Sequence, residues 1–368
     1  MGEQPLIRNL SRHFTPLTAE TRKRGINLIM AMPDANSARA IAASTPTVAE
    51  LAATRALVFP GQGSQTVGMG RELATAFPVA RQVFDAVDDA LDQHLFTLMT
   101  EGPQEELTLT ENAQPALMAV SMAVLRVLKD EFGLGIEHLG RFVAGHSLGE
   151  YTALTAAGTF SIEDAARLLR TRGLAMQTAV PVGEGGMAAL MGIDLETAQD
   201  IATEATRDTY DGSVCVAAND NAPGQVVISG SRVAVQRAIE IAALRGAKRS
   251  VMLPVSGPFH CPLMAPVADV MADALNSVTM NPPRVPLISN VTAREVADPA
   301  EARGLLVKQI TGMVRWRESV LYMCSRGVRQ IVEIGTGKIL SGLARRIDRS
   351  MSGLSLGLPG EIEEFATA

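Results

Sequence analysis

The sequence predicts an α/β fold in which a large domain with a mostly parallel sheet carries a small inserted domain. Three observations favour this architecture. Apolar runs such as Ala56-Leu57-Val58-Phe59 are continuous rather than alternating, as in strands that are buried on both faces of a parallel sheet. Segments with helical periodicity alternate with these runs. The chain of 368 residues also exceeds the usual size of one domain.

The first predicted strand, 56–59, ends at Pro60-Gly61. A helix that Thr110 can cap leads to a second strand at 142–144. Together with the return of the chain described below, these elements predict a discontinuous large domain over 55–184 and 257–350.

The pattern changes between 185 and 256, where four apolar runs and two helices follow in the order βαββαβ. Asp194 and Ser231 are expected to cap the two helices, and Asn221-Ala222-Pro223-Gly224 is suited to a hairpin turn. This order is typical of a split, ferredoxin-like domain, so we expect a small inserted domain over 185–256.

The chain then returns to the alternating pattern of the large domain. It continues with helices near 262–277 and 298–326, strands at 285–289 and 330–334, and a glycine turn into a helix at 335–346. Residues 351–368 are expected to be a C-terminal tail.

Residues 1–54 lack a clear period and hold six basic and four acidic residues. A secretory signal is not expected, because the apolar stretch at 26–32 is short and is followed by Pro33. The segment is expected to be a disordered extension or the result of an upstream start codon, and a mitochondrial presequence is the alternative.

Composition excludes several functional classes. Apolar residues make up 47% and charged residues 20%, and no apolar run approaches the roughly 18 residues of a membrane span. A net charge of −6 and 4% aromatic residues disfavour a nucleic-acid partner. Cys215, Cys261 and Cys324 are odd in number and widely spaced, which predicts neither disulfides nor a metal site, and favours a reducing, cytoplasmic location.

The pentapeptide Gly145-His146-Ser147-Leu148-Gly149 follows the strand at 142–144 directly. A serine between glycines at a sharp strand-to-helix turn is a nucleophile elbow of the α/β-hydrolase-like type, and it indicates covalent acyl chemistry. In a chain with 32 glycines the same pattern can also arise by chance.

A nucleophilic serine needs a base, and the chain has five histidines: His13, His94, His138, His146 and His260. His13 lies in the extension, and His94 and His138 lie in charged contexts that favour the surface. His146 is adjacent to Ser147, but its side chain should point away around the turn. His260 follows a rigid glycine-proline turn after a predicted strand, which favours it as the base, although packing is an equal alternative.

Arg172 lies on the apolar stripe of the helix that Ser161 precedes, together with Ile162, Ala165, Leu169 and Met176. Burial of a guanidinium costs several kcal/mol unless an anion meets it. That anion could be a protein carboxylate in a buried ion pair or the free carboxylate of a substrate, which the planar fork of arginine suits.

Gly61-Gln62-Gly63-Ser64-Gln65 follows the first strand, so its backbone should lie at the carboxyl edge of the sheet. The Lys-Ser/Thr of a phosphate-binding loop and the spacing of a dinucleotide motif are absent from this segment. A hydrogen-bond donor to an oxyanion is therefore the better use of this loop.

Taken together, these motifs resemble the malonyl-CoA:acyl carrier protein transacylase family over about 55–350. The motifs stand in the family's order: Gly61 to Gln65, Gly145 to Tyr151, Arg172-Gly173 with Met176-Gln177, Pro258-Phe259-His260, and Val314-Arg315-Trp316. The chain departs from the family at Gly335-Thr336-Gly337-Lys338 and at Gly312-Met313, which puts loop geometry in doubt but touches no catalytic atom.

The resemblance implies that Ser147 is the nucleophile and His260 its base. It implies further that the backbone N–H groups of Gln62 and Leu148 form the oxyanion hole, and that Arg172 binds the malonyl carboxylate. The remaining implied roles are Phe259 in the choice of a malonyl unit, and Gln309, whose backbone carbonyl orients the histidine.

The implied reaction is ping-pong transfer of malonyl from malonyl-CoA to the phosphopantetheine thiol of acyl carrier protein, in fatty acid synthesis. No tightly bound cofactor is implied, and a monomer is expected. Alternatives are a serine thioesterase or acyl hydrolase, a transferase of a polyketide pathway, and an idle carrier-docking subunit.

Carrier proteins of this pathway are acidic, so a local basic surface is expected. The alternative is a solvated face that binds nothing. The candidate residues are Arg315, Arg317, Arg345, Arg346 and Arg349.

Overall fold

The computed structural model describes residues 47–181, 183–210 and 212–368, all of which lie in one unit of the chain. The predictions for residues 1–46, including the role of His13, fall outside the described residues. The described strands are β1 Arg55–Phe59, β2 Phe142–Gly145, β3 Gly185–Met191, β4 Cys215–Ala222, β5 Gln225–Ser231, β6 Arg249–Met252, β7 Leu287–Ile288, β8 Glu295–Val296, β9 Gln330–Ile334 and β10 Ser352–Leu356.

Sixteen α-helices of the described residues surround these strands. They are α1 Val48–Thr54, α2 Arg71–Ala76, α3 Pro78–Leu91, α4 Leu95–Glu101, α5 Gln104–Thr108, α6 Thr110–Phe132, α7 Ile136–Leu139, α8 Leu148–Ala156, α9 Ile162–Thr178, α10 Leu195–Asp208, α11 Arg232–Leu244, α12 Ala265–Asn276, α13 Pro299–Gln309, α14 Trp316–Ser325, α15 Ile339–Ile347 and α16 Pro359–Thr367. None of these helices is long and apolar enough to cross a membrane.

The main sheet has the order β10-β9-β1-β2-β7-β8 and is parallel except at the β7–β8 pair. Leu57 and Phe59 pack with α6 and α8 on one face, while Ala56 and Val58 pack with α14 and α15 on the other. Burial on both faces explains why the apolar run of β1 is continuous. The prediction of a mostly parallel α/β sheet is confirmed.

The second sheet is antiparallel, with the order β4-β5-β3-β6. Helices α10 and α11 pack on one of its faces through their apolar stripes. The element order β3-α10-β4-β5-α11-β6 is the predicted βαββαβ pattern, and Asp194 caps α10 by accepting from the Thr197 N–H at 2.8 Å. The domain boundaries at 185 and 256 stay a prediction.

Both ends of the described chain differ from expectation. Helix α1 begins inside the predicted extension, where Thr47 and Glu50 form a capping box. The predicted C-terminal tail is also ordered: β10 pairs with β9, and α16 follows it. Leu356 and Ile362 are buried against the main core, so the pairing covers the edge of β9.

Two capping predictions are wrong in detail. Thr110 is the first residue of α6 rather than its cap, and its hydroxyl lies 2.9 Å from the Ser256 hydroxyl. Ser231 precedes α11, but its hydroxyl accepts from the Val214 N–H at 3.1 Å and makes no cap hydrogen bond.

Strand β7 is shorter than predicted, because Pro286 has no N–H to extend the ladder.

Candidate active site

Ser147 lies at the junction of β2 and α8, at the carboxyl edge of the main sheet. Its backbone has φ 55° and ψ −109°, a strained conformation that non-glycine residues seldom adopt. The flanking glycines allow this turn. A Cβ on Gly145 would lie 1.9 Å from the backbone carbonyl of Gly149, and a Cβ on Gly149 would lie 2.3 Å from the Phe59 oxygen. The sharp turn at Ser147 therefore depends on direct backbone contact of Gly145 with Gly149 and of Gly149 with Phe59.

His260 reaches Ser147 from the loop that follows β6. Its Nε2 lies 2.8 Å from the Ser147 Oγ, and its Nδ1 lies 2.9 Å from the Gln309 carbonyl oxygen and 3.2 Å from that of Gly312. The expectation that the departure from the family at Gly312 touches no catalytic atom is therefore wrong, because its backbone carbonyl contacts the histidine. A carbonyl only accepts, so Nδ1 carries the proton and Nε2 presents its lone pair to the serine. The geometry is that of a nucleophile and a base that a backbone carbonyl orients.

The imidazole is held neutral. Burial, and then the charge of Arg172, lower the pKa of His260 to about 3. The side chain is 3% exposed, which accounts for the dominance of desolvation. A neutral imidazole can accept a proton from Ser147 at physiological pH.

Arg172 on α9 points into the same site and is 1% exposed. Its guanidinium donates to Gln114 Oε1 at 2.9 Å, to Gln309 Oε1 at 2.9 Å and to Ser147 Oγ at 3.1 Å. Within the described part of the chain it forms no ion pair with a carboxylate, so the buried ion pair that the sequence left open is not found there. The buried Nε of Arg172 also has no hydrogen-bond partner among the described residues.

The loop Gly61–Gln65 lies beside the elbow. A Cβ on Gly61 would lie 2.9 Å from the His146 carbonyl oxygen, and the Gln62 side chain donates to the Thr110 hydroxyl at 3.3 Å. Leu148 is the first residue of α8, where a backbone N–H has no partner within its helix. Gln62 and Leu148 both line the cavity in front of Ser147.

That cavity has a volume of about 200 Å³ and lies between the two sheets. Ser147, Arg172 and His260 form its floor on the side of the main sheet. The second sheet and the segment after β6 supply apolar walls, which include Met187, Val227, Leu253, Val255 and Phe259. Further polar side chains, among them Gln62, Gln114 and Asn219, line the same cavity. Apolar walls with convergent polar groups are suited to a small acyl group with a charged end.

None of the other described histidines contacts Ser147 through its side chain. His94 and His138 are exposed, at the start of α4 and in the last turn of α7. His146 turns away from Ser147, with its Nε2 2.8 Å from Asn221 Oδ1 and its ring 5.9 Å from that of Trp316.

Two of the five arginines of the predicted basic surface form salt bridges with carboxylates of the same chain. Arg315 pairs with Glu318, and Arg317 pairs with the buried Asp220 at 2.8 Å. Arg345, Arg346 and Arg349 are exposed. Arg346 donates to Gln225, which lines the cavity.

Three further residues complete the site, and sequence reasoning missed them: Gln114, Glu150 and Asn290. Asn290 accepts from the Ser147 N–H at 2.8 Å and donates to the Gly145 oxygen at 2.6 Å. Its position directly after β7, at the same sheet edge as the elbow, was the available signal. Gln114 and Glu150 lie within apolar helical stretches, and no local pattern marks them.

Comparison with known proteins identifies the family. The acyl transferase domain family matches residues 56–341. The malonyl CoA-acyl carrier protein transacylase of Bacillus subtilis strain 168 is 44% identical over 308 residues, which cover 84% of this chain and 95% of that protein. The corresponding protein of Escherichia coli K12 is 43% identical over 304 residues, covering 83% and 96%.

Solved structures give the same result. The acyl-carrier-protein S-malonyltransferase of Bartonella henselae is 53% identical, with a TM-score of 0.82 over 85% of this chain and 98% of that chain. A malonyl-transacylase solved in complex with a type II PKS acyl carrier protein is 40% identical, with a TM-score of 0.81 over 85% and 99%.

Proposed function

The chain belongs to the acyl transferase family and is an acyltransferase of the malonyl-CoA:acyl carrier protein transacylase type, and from this premise we propose how its residues carry the transfer. It moves a malonyl group from malonyl-CoA to the phosphopantetheine thiol of acyl carrier protein, through an ester on Ser147. The product supplies extender units for fatty acid synthesis.

One observation carries the choice of malonyl. Arg172 lies 3.1 Å from the nucleophilic oxygen, is almost fully buried, and has no carboxylate partner among the described residues. The Glu150 carboxyl group reaches Arg172 only through Gln309, so no carboxylate of the described residues contacts the buried guanidinium directly, and a dicarboxylic acyl group would supply that contact. Acetyl groups have no such carboxylate, so Arg172 distinguishes between the two.

In the first half-reaction, Ser147 Oγ attacks the thioester carbon and its proton passes to His260 Nε2. The backbone N–H groups of Gln62 and Leu148 stabilise the oxyanion, each by roughly 3 kcal/mol. The tetrahedral intermediate collapses, the C–S bond breaks, and the coenzyme A sulfur leaves with the proton from His260. Malonyl remains as an ester on Ser147.

In the second half-reaction, the carrier thiol gives its proton to His260 and its sulfur attacks the ester carbonyl. The C–O bond to Ser147 then breaks, and the serine oxygen takes the proton back. The Gln309 carbonyl keeps the histidine in one tautomer throughout, and Phe259 limits the size of the acyl group. No bound cofactor or metal is needed in either half.

Acyl carrier protein is the proposed partner, which the solved complex of a 40% identical relative supports. All proposed catalytic residues come from one chain, so we propose that a monomer suffices. The described cysteines are free, which supports a cytoplasmic location. We propose that Arg345 and Arg346, beside the cavity, dock the acidic carrier.

The test is the intact mass of the protein after incubation with malonyl-CoA alone or acetyl-CoA alone. We expect a stable malonyl adduct that is absent in Ser147→Ala. Arg172→Ala should lose about 10- to 100-fold in malonyl adduct formation and much less in acetyl adduct formation, because it removes a charged hydrogen-bonding fork.

Arg170→Ala is the matched control, since Arg170 lies on the same helix outside the cavity. Free malonate without an adduct would favour a hydrolase, in which water is the acceptor. An equal loss of malonyl and acetyl adducts in Arg172→Ala would refute the proposed role of the arginine.

A further inference from the structure

Glu150 is a buried carboxyl group one turn after the nucleophile, and the proposed mechanism does not use it. It lies in the first turn of α8 and is 0% exposed. Its Oε2 accepts from Gln309 Nε2 at 2.7 Å, and its Oε1 accepts from the Asn290 N–H at 3.2 Å. Burial of a carboxyl group is costly, so its partners indicate what it does.

Each of the two partners holds the elbow. The Asn290 side chain accepts from the Ser147 N–H and donates to the Gly145 oxygen, so it spans the turn. The Gln309 side chain donates to the Ser147 carbonyl oxygen at 2.8 Å. Both peptide groups of the strained serine are therefore tied to residues that Glu150 fixes.

Gln309 also contacts the other two functional groups. Its Oε1 accepts from Arg172 at 2.9 Å, and its main-chain oxygen accepts from His260 Nδ1 at 2.9 Å. One glutamine thus joins the nucleophile, the base and the acyl-selecting cation. The orientation of its amide decides whether Oε1 or Nε2 faces Arg172.

We propose that Glu150 is a positioning residue, which sets the orientation of the Gln309 amide and, with Asn290, holds Ser147, His260 and Arg172 in register. This inference rests on the proposed function. Glu150 itself touches neither substrate nor the reacting atoms.

The ionised form of Glu150 is suited to this task, because both oxygens of a carboxylate accept hydrogen bonds. Burial raises the pKa of Glu150 to about 7, so the test below is made at about pH 8, where the carboxylate predominates. A glutamine of the same shape has one oxygen and one NH2 group. Its NH2 group would face a second hydrogen-bond donor, either the Asn290 backbone N–H or the Gln309 NH2 group. Rotation of the Gln309 amide would relieve the second conflict, but it would turn an NH2 group toward Arg172. With Glu150, one arrangement satisfies every hydrogen bond of the network. With glutamine at position 150, every arrangement places two donors against each other.

The test is the rate of single-turnover acylation of Ser147 by malonyl-CoA, with thermal unfolding measured alongside. Glu150→Gln should reduce the acylation rate by about 100-fold, the effect of a small misplacement of reacting groups. Glu333→Gln is the matched control. Glu333 is also a 0% exposed glutamate, but it lies on β9 and accepts from the Ser341 N–H at 2.8 Å, away from the elbow. It should keep the wild-type rate.

A double mutant separates positioning from general destabilisation. In Gln309→Ala the main-chain carbonyl that orients His260 remains, but the amide is gone. If Glu150 acts through this amide, adding Glu150→Gln to Gln309→Ala should cost much less than it costs the wild type. If the fold reduction in acylation rate of the double variant equals the product of the reductions in the two single variants, the proposal is wrong.

The outcomes are separable from failure of the function itself. If the wild type forms no malonyl adduct, the proposed function fails. If it does and a folded Glu150→Gln reacts at the wild-type rate, only this inference fails. Should Glu150→Gln not fold, Gln309→Ala decides alone, because a wild-type acylation rate in that variant would disprove the role of the amide.

Discussion

Arg172 and His260 are basic side chains buried in one cavity, and their proximity sets the proton affinity of the histidine. Burial comes first, and the nearby guanidinium adds to it, so the pKa of His260 falls to about 3. The cation that we propose to select the acyl group thus also helps to keep the imidazole neutral. A single placement of Arg172 would serve both selection and catalysis.

The low pKa of His260 has a consequence for stability. A histidine in the unfolded chain has a pKa of about 6.5, so below that pH the unfolded state binds a proton that the native state does not. The stability contributed by the neutral imidazole is fully present above about pH 6.5 and is lost as the pH falls toward the folded value. Glu150 acts in the opposite direction, since burial raises its pKa to about 7 and the native state is stabilised as the pH falls through that range.

We therefore expect His260→Asn to flatten the acid side of the stability profile. Between about pH 6.5 and pH 5 the wild type should lose about 1.5 kcal/mol more of its free energy of unfolding than the variant. Glu150 is present in both proteins, so its effect cancels. Urea unfolding at a series of pH values measures the difference. Parallel profiles would show that His260 is not held neutral by the fold.

The sequence could predict Ser147, His260 and Arg172 because each lies in a local signal: a glycine elbow, a glycine-proline turn or an apolar stripe. It could not predict Glu150, since its partners Asn290 and Gln309 lie 140 and 159 residues away. A buried acid in an apolar helix acquires a role only when the fold brings its donors to it.

At the scale of elements, the elbow depends on contact between backbones rather than on the serine alone. The Ser147 hydroxyl projects from the sheet edge only if β2, α8 and β1 approach each other closely. At this approach Gly145 and Gly149 have no room for a side chain. A helix that starts at the sheet edge then points its free N–H groups into the cavity.

We expect Gly145→Ala to be destabilised by about 3 kcal/mol or more and to lose acylation, because its Cβ would meet backbone atoms that cannot move independently. Gly304→Ala is the control, since Gly304 lies within α13 with open space around the added methyl group. It should gain about 0.5–1 kcal/mol in free energy of unfolding. Chemical unfolding and intact mass measure both effects. A Gly145→Ala variant as stable as the wild type would refute the close approach.

The same scale explains the errors at the chain ends. Strand β10 contains glycine and serine, and its flanking Gly357 and Pro359 obscure the strand pattern. Its order comes from pairing with β9 and from the cover of α16, neither of which a local pattern reveals. Continuous apolar strands such as β1 were predictable because burial on both faces leaves a mark in the sequence.

For the whole molecule, the cavity depends on how the two sheets are joined. Strand β4 of the second sheet exchanges backbone hydrogen bonds with Val314, and the buried Asp220 pairs with Arg317 on α14. These contacts hold the apolar wall over Ser147. The sequence predicted both sheets but not this junction, because the bulges in β4 that aim Asn219 and Asn221 at the cavity have no clear local signal.

The charge of the whole chain opposes its proposed partner. A net charge of −6 repels an acidic carrier protein at long range, so docking requires a local basic surface. Helix α15 supplies one, since Arg345 and Arg346 are exposed while Leu340 and Leu343 of the same helix line the cavity. Arg315 and Arg317 contribute less, because carboxylates already neutralise them.

We expect reversal of both exposed charges, Arg345→Glu with Arg346→Glu, to raise the KM for the carrier protein by about tenfold at low salt, because steering becomes repulsion. Added salt should weaken carrier use by the wild type and improve it in the variant, since screening acts on both signs. Malonyl adduct formation should change less, because that half-reaction does not involve the carrier. Arg207→Glu with Arg232→Glu, on α10 and α11 behind the second sheet, is the control, because this pair of reversals changes the net charge by the same amount. If it raises the carrier KM equally, the overall field decides association and α15 is not the docking surface.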